Sequence, residues 1–104
     1  MNPLNSPLQQ LQSWYEDQCD GDWEHSYGIE IETLDNPGWW LSVDLVDTQW
    51  AELSQERLIV RRTDSDWVQT EITDGKFIGA GGPANLGEVI ELFLKIVQQN
   101  PPRD

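Results

Sequence analysis

No lysine or arginine occurs in the first 56 residues of this 104-residue chain, although twelve of its nineteen Asp and Glu side chains lie there. All six bases stand at or beyond Arg57, and the formal net charge is -13. A field of that sign repels phosphate. It argues against nucleic acid and anionic membranes as direct partners and favours a basic protein. The plainer reading is that the acidity only keeps the chain in solution. Cysteine is just as scarce: Cys19 stands alone, so no internal disulfide can form. No apolar run approaches the roughly 20 residues that span a bilayer. The start, "MNPLNSPLQQ", lacks the basic and apolar regions of a signal peptide. Together these absences point to a cytoplasmic protein.

What is present suffices for one core. Hydrophobic residues make up 38% of the chain and six of them are tryptophans, so a single domain over residues 1–104 is expected, with little room for a cofactor-sized cavity. Leu4, Leu8, Leu11 and Tyr15 recur at helical spacing, which predicts a helix over 6–18 with Asn5 or Ser6 as its cap and Gly21 as its limit. From Gly28 the period changes to two. "GIEIETL" and "WWLSVDLV" read as strands joined by the turn "DNPG", and "QERLIVRRT" and "WVQTEIT" follow as two more. Asp74-Gly75 suits a hairpin into a short fifth strand, "KFIG". A closing helix then carries Leu86, Val89, Ile90, Phe93 and Val97 on one stripe, with Asn85 and Glu88 spaced as a capping box, and "NPPRD" ends it. The expected fold is α+β: an antiparallel meander of four or five strands with an N-terminal and a C-terminal helix packed on one face. The other face is left open, bearing Glu30, Glu32, Trp40 and Asp44.

Three patterns invite a chemical reading. "CDGDWEHSYG", residues 19–28, gathers Cys19, Asp20, Asp22, Glu24 and His25, all of them metal-ligand types, in an expected loop. Structural zinc sites use paired Cys or His at short spacing, and a calcium loop closes with a bidentate Glu at position twelve; neither pattern is complete here. As a nucleophile, Cys19 beside His25 sits in negative charge, which raises a thiol's pKa and blunts its reactivity. "GAGGP" at 79–83 precedes a helix, yet it has neither the Gly-Lys-Ser/Thr of a phosphate loop nor the spaced glycines of a dinucleotide fold. Its glycines suit a connection that needs positive φ and close packing. The open sheet face is the third pattern. Trp40 beside Glu30 and Glu32 offers an aromatic anchor in an acidic rim, as interfaces do, unless Arg57 and Arg61 neutralise those acids across strands.

The stretches "LQSWY" at 11–15, "CDGDWEHSYGIEIETLDNPGW" at 19–39 and "KFIGAGGPANLGEVIELF" at 76–93 resemble the immunity protein 53 family of bacterial polymorphic-toxin systems. The resemblance runs from the first helix to the last and is weakest between residues 45 and 60. It implies a cytoplasmic antidote, made beside a toxin gene, that binds its cognate toxin domain and blocks it. It carries no catalytic residue, metal or cofactor over to this chain. Joined to the charge argument, it gives a basic nuclease toxin as one fitting partner and Asp20, Asp22, Glu24, His25, Glu30, Glu32, Trp40 and Asp44 as the expected partner-binding residues. The competing reading is a small metal-dependent or hydrolytic enzyme built on Cys19 and His25.

Overall fold

Ser6 opens the first helix by a reciprocal cap. Its hydroxyl accepts from the Gln9 N–H at 3.1 Å, the Gln9 side-chain oxygen accepts from the Ser6 N–H at 2.9 Å, and Pro7 occupies the first turn. In the computed structural model, which describes residues 6–100, this helix, α1, spans Pro7–Gln18. A one-turn helix, α2, follows over Trp23–Ser26, where the sequence suggests a loop. The strands are β1 (Ile29–Leu34), β2 (Gly38–Asp44), β3 (Gln55–Arg61), β4 (Trp67–Thr73) and β5 (Lys76–Gly81), and α3 covers Leu86–Gln99.

The five strands form one antiparallel sheet, and with α1 and α3 they make the α+β architecture expected. The path through the sheet is not sequential, however. The order β1-β2-β5-β4-β3 inserts the last strand between β2 and β4 and sends β3 to the far edge. The composition of β5 explains its central place. Val89 of α3 sits so close over Gly79 that a Cβ there would lie 2.5 Å from the Val89 Cγ1. The glycines of "GAGGP" thus serve close packing alone, since among the described glycines only Gly21 and Gly75 have positive φ.

Cross-strand register sorts the side chains into two faces. Ile29, Ile31, Leu41, Val43, Phe77, Val68 and Ile72 face the helices. Glu30, Glu32, Trp40, Ser42, Asp44 and Ile78 take the other face. The core lies between sheet and α3, with Phe77, Phe93, Leu41, Leu45, Val43 and Val89 fully buried. The α3 stripe is as its spacing predicts, but the capping box is absent. Asn85 makes no side-chain cap; its Nδ2 donates instead to Asp66 and Glu88, both at 3.0 Å.

The face of α1 also differs from the expected row. Leu11 and Trp14 are buried, whereas Leu8 and Tyr15 are exposed; Leu4 lies outside the described residues. The cause is that α1 packs chiefly on α3, which draws the larger apolar surface of Trp14 inward. Trp14 meets Phe93 at 5.0 Å and Trp23 at 6.1 Å, both edge-on, and Trp50 at 5.8 Å.

Candidate functional site

The acidic segment after α1 folds into a hydrogen-bonded turn that leads into the buried Trp23. Asp20 Oδ1 accepts from the backbone N–H of Asp22 at 2.9 Å and of Trp23 at 3.0 Å. The Glu24 carboxylate accepts from the N–H of Asp20 at 3.0 Å and of Gly21 at 2.9 Å. Gly21, at φ 95°, makes the reversal that these bonds close. The bonds hold the Asp20 carboxyl below its ordinary value, through the Trp23 and then the Asp22 N–H. Glu24 is lowered in the same way, first by its own N–H and then by those of Asp20 and Gly21. Both therefore stay anionic. The turn drives Trp23 into the core at 4% exposure, where its Nε1–H donates to the Val46 carbonyl at 3.0 Å.

No hydrogen bond joins Cys19 to His25 among the described residues. The Cys19 thiol donates to the Tyr15 carbonyl at 3.3 Å, and His25 stands exposed on α2. Among the described residues no three His, Cys, Asp or Glu side chains are grouped so that they could hold a metal ion.

Asp22 is exposed, and with Asp20 it lines a polar depression of about 310 Å³ that also includes Asp47, Ser26 and Tyr27. Asp47 is a residue that the sequence reading misses. Its signal was conformational: at φ 61° it occupies the left-handed region, which Asp tolerates better than most residues.

The sheet-face residues divide in two. Asp44 is structural, since its Oδ2 accepts from the Gly28 N–H at 2.9 Å and its Oδ1 lies 3.7 Å from Lys76 Nζ. Glu30 and Glu32 are exposed on β1, opposite Ser42 and Trp40, and neither has an ion pair among the described residues. Trp40 is half-buried beside Glu32 and about 13 Å along β2 from Asp44. Neutralisation of the glutamates by Arg57 and Arg61 does not occur, because β3 lies at the opposite edge of the sheet. Arg57 instead approaches Glu71 at 3.7 Å, and Arg62 pairs with Asp66 at 2.9 Å and with Glu88.

The charge asymmetry of the sequence thus becomes spatial. The base-free half supplies α1, α2, β1 and β2, with Glu30 and Glu32 exposed on the edge strand β1, while Arg57 and Arg61 stand on β3 at the opposite edge. The sequence segments that build α2, β1 and the α3–β5 contact are those that carry the family resemblance. No curated protein and no solved structure matches the chain. Residues 8–98 match the family described as Immunity protein 53, so the chain belongs to that family of immunity proteins.

Proposed function

We propose that the chain is a cytoplasmic antidote, acting as one domain over residues 1–104, that binds and neutralises the toxin of a polymorphic-toxin system through its acidic side. The supporting observation is the coincidence of a family match over residues 8–98 with a base-free half folded onto one edge of the sheet. Glu30 and Glu32 on β1, and Asp22 and Asp47 at the depression beside α2, present carboxylates with no ion-pair partner among the described residues. A nuclease toxin has a basic substrate cleft, and an acidic protein can occupy it in place of phosphate, with attraction that speeds the encounter. Family membership points to binding rather than catalysis. Co-expression with the toxin domain encoded beside this gene tests the reading. The two copurify as a 1:1 complex and growth is rescued if it is right. Continued toxicity with no complex refutes it.

A further inference from the structure

Among the described residues six large apolar side chains are exposed, and they gather at the two edges of the sheet: Leu8, Tyr15 and Ile31 near β1, and Leu58, Ile59 and Val60 on β3. The first three converge. Together with Leu11 and Ile29 they line a groove of about 360 Å³ between α1 and β1.

The backbone beside this groove is also open. Antiparallel pairs alternate between residues that exchange hydrogen bonds and residues whose peptide groups turn outward. The Asp44 N–H donates to the Gly28 carbonyl at 3.0 Å, and Glu30↔Ser42 and Glu32↔Trp40 follow in the same phase. The N–H and C=O groups of Ile29, Ile31 and Thr33 therefore point away from β2, to the side where the sheet has no further strand among the described residues. Edge strands are usually blunted by bulges or inward-pointing charges. β1 pairs in unbroken register and carries its glutamates only on the face away from the groove, whereas β3 is irregular between Gln55 and Leu58.

An apolar groove alongside a row of free peptide groups is the arrangement by which an extended segment adds as a strand. The side chains of such a segment alternate. Those on the helix side enter the groove over Leu8, Tyr15 and Ile31. Those on the opposite side stand beside Glu30 and Glu32, which have no cation among the described residues. We propose that β1 and the α1–β1 groove receive an extended strand of the toxin in which apolar and basic residues alternate. This rests on the toxin-binding reading above and names the site and the recognition element.

A second copy of the chain is the competing occupant. Face-matched pairing of β1 with β1 would set Glu30 and Glu32 against their counterparts, which is unfavourable. Pairing with β3 of another copy would bring Arg57 and Arg61 to the glutamates, but head to tail in an open-ended array.

The test uses the inactivated toxin domain encoded beside the gene and the full chain. Ile31→Lys and Leu8→Lys, both at exposed positions, weaken the complex at least about tenfold, as loss of an interface anchor does. Ile59→Lys, on the far edge, leaves affinity unchanged. In the wild-type complex the amides of Ile31 and Thr33 exchange with solvent at least about a hundredfold more slowly than in the free chain. Full affinity in Ile31→Lys with those amides unprotected overturns the strand-docking proposal and leaves toxin binding standing. Failure of the wild-type chain to bind overturns the toxin-binding reading itself. Self-association of the chain alone, lost in both Ile31→Lys and Ile59→Lys, assigns the groove to a second copy and overturns the proposal.

Discussion

Replacing Trp23 by alanine tests whether the Cys-Asp-His segment is a structural plug or a chemical centre. Trp23 is 4% exposed, packs edge-on against Trp14 and Tyr15, and donates to the Val46 carbonyl. Deleting a buried aromatic of this kind costs about 3–5 kcal/mol, a large share of the roughly 5–15 kcal/mol that holds such a protein folded. The melting temperature should fall by more than about 12 °C, and the urea midpoint by more than about 1 M. Trp23→Phe isolates the indole N–H: most of the packing survives, but the Val46 carbonyl loses its donor, at about 1–2 kcal/mol. Trp14→Phe is the internal control. The buried Trp14 Nε1–H has no acceptor among the described residues, so its removal relieves a desolvated donor and should cost less than Trp23→Phe by about 1 kcal/mol or more. Cys19→Ala and His25→Ala should each stay within about 1 kcal/mol of wild type. Urea titrations followed by far-ultraviolet circular dichroism measure all five variants. A Trp23→Ala chain that melts within a few degrees of wild type would refute the plug, as would His25→Ala or Cys19→Ala costing as much as Trp23→Ala.

Two further predictions concern the α3 seat. Gly79→Ala places a methyl against the fully buried Val89, whose helical rotamer is stiff, and should destabilise by about 1–3 kcal/mol. Adding Val89→Ala should recover part of that loss, a non-additivity read from a double-mutant cycle in urea. The second concerns Asp66, whose carboxyl is lowered first by Arg62 and then by Asn85. Its stabilisation is therefore fully present above the ordinary aspartate value near 3.9 and is lost as pH falls through the depressed one. Asp66→Asn should be less stable than wild type at neutral pH, by a gap that is constant above about pH 5 and closes below about pH 4. A gap that persists at pH 2 would sink the assignment.

Much of this fold was legible in the chain because local chemistry and tertiary need agree. Ser6-Pro7 with Gln9 starts α1, the period of two marks β1 and β2, and Asp74-Gly75 turns β4 into β5. Strand order was not legible, since spacing shows that a segment is a strand but not which neighbour it takes. The clue lay in Gly79 and Gly81, whose missing side chains let α3 settle on β5 and so make it central. The roles of the acids were half legible. Their number predicts a negative surface, but only geometry separates Asp20, Glu24 and Asp44, which bind backbone N–H groups, from Glu30 and Glu32, which bind nothing within the described chain. Likewise Asn85 and Glu88 have capping-box spacing, yet Asp66 and Arg62 from the neighbouring hairpin outcompete the cap. The fate of Tyr15 turned on the same kind of competition, because Trp14 one position earlier offered α3 a larger apolar surface.

The central claim is that the acidic β1 side of this immunity protein meets a basic toxin surface. The most direct test is the association rate of the toxin domain with the wild-type chain and with Glu30→Lys/Glu32→Lys, across added salt. Asp44 is left intact because it secures Gly28. The account predicts that the wild-type rate falls at least about tenfold between about 20 mM and about 500 mM NaCl. It also predicts that the double reversal is slower at low salt and that the two rates converge at high salt. Equal, salt-independent rates for the two chains would contradict it.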